Sequence, residues 1–146
     1  MTEKRRKSIA VSVIVLVLAA VLAACSTATA SSNGTTINVT ETSYKFDLSS
    51  STAPSGTVTF HVVNKAPDVE HDFAVIQTDT PAGQLAIASS GLVDEARAGK
   101  VLGTVKGVPS GGSKDLKLTL PTGHYALICD LPGHYQLGMY SDFTVK

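Results

Sequence analysis

The chain has 146 residues, with 12 basic and 12 acidic residues and therefore a formal net charge of zero. It has no excess of basic residues that would form a footprint for nucleic acid, which is excluded as an expected partner. Hydrophobic residues make up 43% of the chain, and there are only two cysteines, so a disulfide framework is not expected.

The first 24 residues have the pattern of an export signal. A basic segment at 4–7 is followed by the apolar segment 9–20 and then by small residues. Leu22-Ala23-Ala24-Cys25 looks like a bacterial lipobox, in which lipid is attached to the Cys25 thiol before cleavage. The alternative is an uncleaved membrane anchor, but the stretch from 9 to 24 is shorter than the roughly 20 residues that span a bilayer. Either alternative places the folded domain outside the cytoplasm, because the basic flank stays inside.

Residues 25–35 are interpreted as the lipidated cysteine and a flexible tether, since Ser, Thr, Ala, Asn and Gly dominate without apolar periodicity. A random coil of this length has a reach of roughly 18 Å. Removal of residues 1–24 takes away four basic residues and one acidic residue, which leaves eight basic and eleven acidic residues and a net charge of −3. The remaining residues, 36–146, are expected to form one domain with a single core.

Most of that domain alternates between apolar and polar residues, with Gly and Pro between the runs. The alternation predicts eight short strands, in chain order 36–41, 44–48, 58–62, 71–77, 101–105, 116–120, 125–129 and 140–145. The segment 81–100 is interpreted as a long connection, with a helical turn at 93–98 that ends at Gly99. This pattern predicts an all-β fold, an antiparallel sandwich or barrel.

Three side chains that bind soft metals share one short loop near the C-terminus, namely Cys129, His134 and Met139. His71, at the start of the fourth predicted strand, is a second imidazole that the fold could bring to the same end. Two imidazoles, one thiolate and one thioether are the donor set of a blue (type 1) copper centre. With Cys25 assigned to the anchor, Cys129 is unpaired in an exported domain, and metal ligation would explain its presence.

The motif Gly123-x-Tyr125-x₃-Cys129-x₄-His134-x₄-Met139 resembles the plastocyanin/azurin-like cupredoxins. Its spacing is most similar to the rusticyanin and sulfocyanin branch, and the segment 58–64 looks like the strand before the first copper histidine. The resemblance implies a Greek-key sandwich of about eight strands. It also implies one type 1 copper held by the four residues His71, Cys129, His134 and Met139. The family uses such proteins as one-electron carriers.

The chain departs from many of these relatives beside the first histidine. Asp72 follows His71 where many relatives have Asn or Ser. Because side chains alternate along a strand, we expect the Asp72 carboxylate to point away from the face that carries His71. Solvent would then screen its charge in part, and its effect on the reduction potential would be modest.

Taken singly, the proposed ligands have ordinary alternatives. Cys129 alone could be a small core residue, His134 a turn residue and Met139 a core filler. Their combination at loop spacing favours copper. His61 and His124 are assigned no ligand role, and neither belongs to a His-x-His pair of the kind that builds oxidase copper sites. Because no nucleophile triad, phosphate loop or HExxH motif is present, the chain is not expected to be an enzyme.

Apolar residues surround His134 in the loop, and two interpretations stay open for them. They are Leu131, Pro132, Tyr135 and Leu137. These residues could pack the loop that holds the ligands, or they could form a patch on which redox proteins dock briefly. The docking interpretation predicts a small interface that releases quickly. We expect a monomer.

These features predict a lipid-anchored copper protein on the extracytoplasmic face of the cell membrane, either periplasmic or at the cell surface. It would carry single electrons between redox partners. One alternative is a copper-binding protein for storage, sensing or delivery that uses the same ligands. A second is a metal-free sandwich lipoprotein that acts as an adhesion or scaffold module.

Overall fold

The computed structural model describes residues 34–146. The expected signal peptide, the lipidation site Cys25 and nearly all of the tether lie outside the described residues. Among residues 34–146, no helix is both long enough and apolar enough to cross a bilayer.

The described residues form two β-sheets. The nine strands are β1 (Thr35–Thr42), β2 (Lys45–Leu48), β3 (Thr52–Ala53), β4 (Gly56–Asn64), β5 (His71–Gln77), β6 (Lys100–Val108), β7 (Ser113–Leu120), β8 (Gly123–Ile128) and β9 (Tyr140–Val145). Sheet one has the order β2-β1-β4-β7, and sheet two has the order β3-β9-β8-β5-β6. The prediction of an all-β sandwich is confirmed, and all eight expected strands are present. Only the two-residue β3 was not expected.

The expectation of purely antiparallel sheets was wrong. Strand β1 pairs with β4 in parallel, with Ile37 opposite Phe60, and β3 pairs with β9 in parallel. The other strand pairs are antiparallel. An alternating pattern shows which face of a strand is buried, but it carries no information on the direction of the neighbouring strand. Both sheets are therefore mixed.

The main core lies between the inner faces of the two sheets. Alternate residues of β1 and β4 are buried there, and Phe60 packs against both Phe73 and Phe143 with ring centroids 5.3 Å apart. These β-branched and aromatic residues suit a pleated surface that is buried on one side. Cys129 and Met139 belong to this same cluster, so the proposed metal site lies at one end of the core rather than on the surface.

The outer face of sheet two is covered by the segment 78–99. Ala82, Leu85 and Val93 from this segment pack against Ile76 and Ile128 in a second apolar cluster. The segment contains a 3₁₀ turn at Ala82–Gln84 and the four-residue helix α1 (Glu95–Ala98), which is the helical turn expected from the sequence.

The expected end of that helical turn at Gly99 is also present. Gly99 has φ +137°, and a Cβ atom there would lie 2.3 Å from the backbone oxygen of Gln77. Only glycine fits this position, because it combines a positive φ with close backbone contact.

Candidate metal centre

Three of the four predicted ligands meet at one end of the sandwich. His71 is the first residue of β5, Cys129 follows β8 directly, and His134 lies in the loop between β8 and β9. The two Nδ1 atoms are 3.2 Å apart, and the Cys129 Sγ lies 4.0 Å from Nδ1 of His71 and 3.5 Å from Nδ1 of His134. All three donor atoms fall within 4.8 Å of one another, which is close enough for one ion to contact them all.

Sheet pairing and loop hydrogen bonds bring these donors together. Strand β5 pairs with β8 over residues 74–77 and 125–128, so His71 arrives beside Cys129 although the two are 58 residues apart. In the loop, the backbone N–H of His134 donates to the Leu131 carbonyl at 3.1 Å. Gly133 and Gly138 have φ values of +84° and +103°, a region that favours glycine at these two turns.

Met139 directly precedes β9, and its backbone is hydrogen-bonded to two residues of the cluster. Its backbone N–H donates to the His134 carbonyl at 3.1 Å, and its carbonyl accepts from the Cys129 N–H at 3.0 Å. The side chain is fully buried in the core cluster that also contains Cys129. These contacts bring position 139 beside the three-donor cluster, although the fourth ligand itself stays a prediction.

Burial sets the protonation of the donors. It raises the pKa of the Cys129 thiol to about 11, against a smaller lowering by the Asp72 N–H, which lies 3.4 Å from Sγ. It lowers the pKa of both His71 and His134. Both imidazoles are therefore favoured in the neutral form that binds metals. The thiol gives up its proton when a metal binds, since only the thiolate is a ligand.

The Asp72 side chain is more buried than the sequence indicated. Its residue is 6% exposed, and its carboxylate accepts a hydrogen bond from the backbone N–H of Gly107 at 2.7 Å. The expected screening by solvent was therefore wrong, because β6 lies beside this side of β5 and covers it. A buried charge is screened less by salt than an exposed one.

Two residues near the site had no role in the sequence-based prediction. The Tyr44 ring, in the turn between β1 and β2, packs edge-on against His134 with centroids 5.1 Å apart, and Tyr44 is 39% exposed. Glu41, near the end of β1, is completely buried. Its alternation with Ile37 and Val39 was the available signal, because it places a carboxyl group on the inward face.

The remaining histidines have other partners. Nδ1 of His61 lies 2.6 Å from the Asp115 carboxylate on the outer face of sheet one. His124 contacts the Thr78 carbonyl at 2.6 Å through Nδ1 and the Asp142 carboxylate at 2.8 Å through Nε2. Neither belongs to the three-donor cluster.

The loop around His134 contains both buried and exposed apolar residues. Tyr135 is buried, and its hydroxyl donates to the Ala82 carbonyl at 2.6 Å and accepts from the Leu85 N–H at 2.9 Å. Pro132 is exposed and Leu137 is 60% exposed. Packing of the loop therefore accounts for Tyr135, whereas it does not account for the exposed pair.

Two neutral imidazoles and one buried cysteine, with all donor atoms facing one another, fit the softness and the trigonal arrangement of a type 1 copper site. Fold and donor set together define a cupredoxin, the class of small blue copper proteins that transfer electrons.

The comparisons with known proteins agree with this class. A family model described as the sulfocyanin (SoxE) domain matches residues 8–146, and the chain belongs to this family. The chain contains one type 1 copper site. No curated protein matches the chain significantly.

Solved structures show the same fold. Dithionite-reduced auracyanin from Roseiflexus castenholzii has a TM-score of 0.57 and 22% identity, with 77% of this chain and 98% of that chain covered. Rusticyanin from Thiobacillus ferrooxidans also has a TM-score of 0.57, with 21% identity and coverage of 77% and 79%. These likenesses show the fold, whereas the family assignment rests on the match to the sulfocyanin (SoxE) domain.

Proposed function

We propose that this chain is a membrane-tethered carrier of single electrons in which His71, Cys129, His134 and Met139 hold the copper. The observation that carries this proposal is the convergence of the two Nδ1 atoms and Sγ within 4.8 Å. Copper held by these residues would supply a one-electron Cu(II)/Cu(I) couple, and Met139 would be the weak thioether donor among them. Cupredoxins are generally electron carriers rather than enzymes, and we assign no catalytic reaction to the chain.

The residues around the donors keep the site rigid and dry. His71 and Cys129 have no solvent exposure, and the Asp72 N–H points at the sulfur. Because these groups are fixed by β5 and by the loop hydrogen bonds, they need not rearrange between oxidation states. A carrier benefits from this, since a small rearrangement favours fast electron exchange.

His134 is the proposed point at which electrons enter and leave. It is the one partly exposed member of the three-donor cluster, and the exposed residues Pro132 and Leu137 lie in its loop, with Leu131 half-buried beside them. We assign the docking of redox proteins to these residues around His134. A small apolar patch suits partners that bind weakly and leave quickly.

The optical spectrum and voltammetry of the full-length chain in detergent test the copper assignment. We expect an intense blue band and reversible reduction in the wild type. Cys129→Ala should lose the band, because it arises from charge transfer between thiolate and copper. His124→Ala serves as the control and should stay blue.

Other results would support the alternatives. Copper that binds without reversible electron exchange would favour storage, sensing or delivery. A protein that stays colourless with Cu(II), and whose Cys129 reacts freely with an alkylating agent, would favour a metal-free scaffold.

The proposed lipid anchor is tested separately. Cys25→Ala should move the chain out of the lipid-anchored membrane fraction while the copper spectrum stays unchanged, because the tether separates the anchor from the domain. If a cleaved Cys25→Ala chain remains on the membrane, lipidation is not the anchor.

A further inference from the structure

Three buried side-chain polar atoms in the described residues have no hydrogen-bond partner. They are Nε2 of His71 and both carboxyl oxygens of Glu41. Both residues are completely buried. An unsatisfied buried polar group costs about 1–3 kcal/mol, so such groups are rare in native proteins and call for an explanation.

The two side chains belong to the same end of the sandwich. Glu41 on β1 is the register partner of Asn64 on β4. The Asn64 amide crosses to sheet two, where it donates to the Val108 carbonyl at 2.9 Å. Val108 on β6 is in turn the register partner of His71. This path runs from Glu41 to His71 through two strand pairings and one hydrogen bond.

Charges at this end of the core also act on Glu41. Burial raises the pKa of Glu41 to about 8, and the charge of Asp72, the neighbour of His71, raises it further. Glu41 is also among the charges that raise the pKa of Cys129, after the larger effect of burial. The carboxyl group of Glu41 therefore interacts with residues on both β5 and the end of β8.

The chemistry of a metal-bound imidazole explains the unpaired atoms. Nδ1 of His71 faces Cys129 and His134, so a metal held there leaves the ring proton on Nε2. Metal-binding histidines usually donate this second N–H to a carboxylate, a carbonyl or a water. Within residues 34–146, the only buried side-chain oxygens without a partner are those of Glu41.

We propose that Glu41 is a positioning residue of the copper centre, whose carboxyl oxygen accepts a hydrogen bond from Nε2–H of His71 once a metal on Nδ1 holds the ring proton at Nε2. This bond fixes the tautomer and the orientation of the first copper histidine. The inference rests on the proposed function, in which His71 is a copper ligand. Through this bond, sheet one contributes directly to a site whose proposed ligands all belong to sheet two or its connecting loop.

The test uses the full-length chain loaded with Cu(I), which is diamagnetic and permits NMR of the His71 ring nitrogens. We expect Nδ1 bound to the metal and an Nε2–H proton that exchanges slowly with solvent. Glu41→Gln keeps an acceptor oxygen and should preserve this signal. Glu41→Met has a similar size without an acceptor and should lose it.

Copper affinity gives a second measurement, by competition with a Cu(I) chelator. Loss of an outer-shell partner typically weakens metal binding about 10- to 100-fold, which we expect for Glu41→Met but not for Glu41→Gln. Val39→Ala is the matched control, since Val39 is buried on the same face of β1. It should lower stability while the affinity and the His71 signal stay unchanged.

Two failures are distinguishable. If Nδ1 of His71 in the wild type does not bind Cu(I), the proposed ligand set is wrong. If His71 is bound but its Nε2–H exchanges fast in the wild type, or Glu41→Met keeps both the signal and the affinity, only the role of Glu41 is overturned. If Glu41→Met does not fold, the wild-type signal and the Glu41→Gln result decide whether Glu41 has this role.

Discussion

The two sheets of the sandwich differ in how many of their faces are buried. In sheet one, β4 alternates between half-buried and buried residues from Thr57 to Asn64, so its outer face meets solvent. In sheet two, six consecutive residues of β5, from His71 to Ile76, are buried. The segment 78–99 supplies the additional cover. The proposed ligands are attached to the sheet that is packed on both sides.

This difference explains where a rigid site can be built. Side chains at the end of β5 and β8 are held by neighbours on two faces, whereas residues on the outer face of sheet one are held only by cross-strand pairs. Sheet one instead contributes to the site from its turn end, through Tyr44 against His134 and through the buried carboxyl group of Glu41. The following predictions test this difference between the two sheets.

The largest effect is expected from removing the outer packing of sheet two. Ile76→Ala should lower the free energy of unfolding by about 2–5 kcal/mol, because it opens a cavity in the second apolar cluster. The matched change on the outer face of sheet one, His61→Ala, should alter it by no more than about 0.5 kcal/mol. Chemical denaturation of both variants decides the comparison. Equal losses would mean that the cover over sheet two adds little.

The buried carboxyl group of sheet one should make the metal-free protein sensitive to pH. Glu41 has a pKa of about 8 in the folded state against 4.5 for an unperturbed group, so the folded state binds more protons between these values. The contribution of Glu41 to stability is therefore complete below about pH 4.5 and is lost as the pH rises through 8, a fall of about 5 kcal/mol.

Denaturation of the metal-free chain between pH 5 and 9 measures this fall, and Glu41→Gln should remove most of it. Asp72 and the Cys129 thiol also interact electrostatically with Glu41. Both groups are present in the wild type and in the Gln variant, so the two proteins differ only at Glu41. An identical pH dependence in the Gln variant would contradict the assignment to Glu41.

A substitution at Met139 tests whether the loop between β8 and β9 supplies a thioether donor to the copper. Met139→Gln should keep the copper and lower the reduction potential, because an oxygen donor stabilises Cu(II) better than a thioether. Voltammetry and the optical spectrum measure both properties. If neither changes, Met139 is not a copper ligand.

The smallest effect is expected from Asp72, beside His71. A unit charge at about 8 Å and an effective dielectric constant near 20 contributes roughly 2 kcal/mol, which is an upper limit here. Because the negative charge favours Cu(II), Asp72→Asn should raise the potential modestly while the blue spectrum persists. The burial of Asp72 makes this effect less sensitive to salt than an exposed charge would be. A potential that is unchanged or lowered would refute the electrostatic effect.

Much of the fold was predictable because its strands alternate. Runs such as that of β4 show their buried face directly in the sequence, and the expected strand positions are all occupied. The expected antiparallel arrangement was wrong between β1 and β4, because nothing in the residues of β1 shows that β4 runs in the same direction. The continuous burial of β5 also depends on residues 78–99, whose packing has no simple periodicity.

The candidate site was likewise predictable from the sequence only in part. The order and spacing of Cys129, His134 and Met139 were readable because the three share one loop. Asp72 was placed on the correct strand, but its burial against Gly107 on β6 was not expected. Tyr44 carried no signal at all, since it meets His134 only through tertiary packing.

The sequence by itself determined which donor atoms are available and which strand faces turn inward, because both follow from local chemistry and from the period of a strand. Only the tertiary structure decided that His71 meets Cys129 across 58 residues and that Asp72 is shielded. It also decided that Glu41 is buried at the end of the sandwich that carries His71. These outcomes depend on which strands become neighbours, and that choice is made by the packing of the whole core rather than by any single segment.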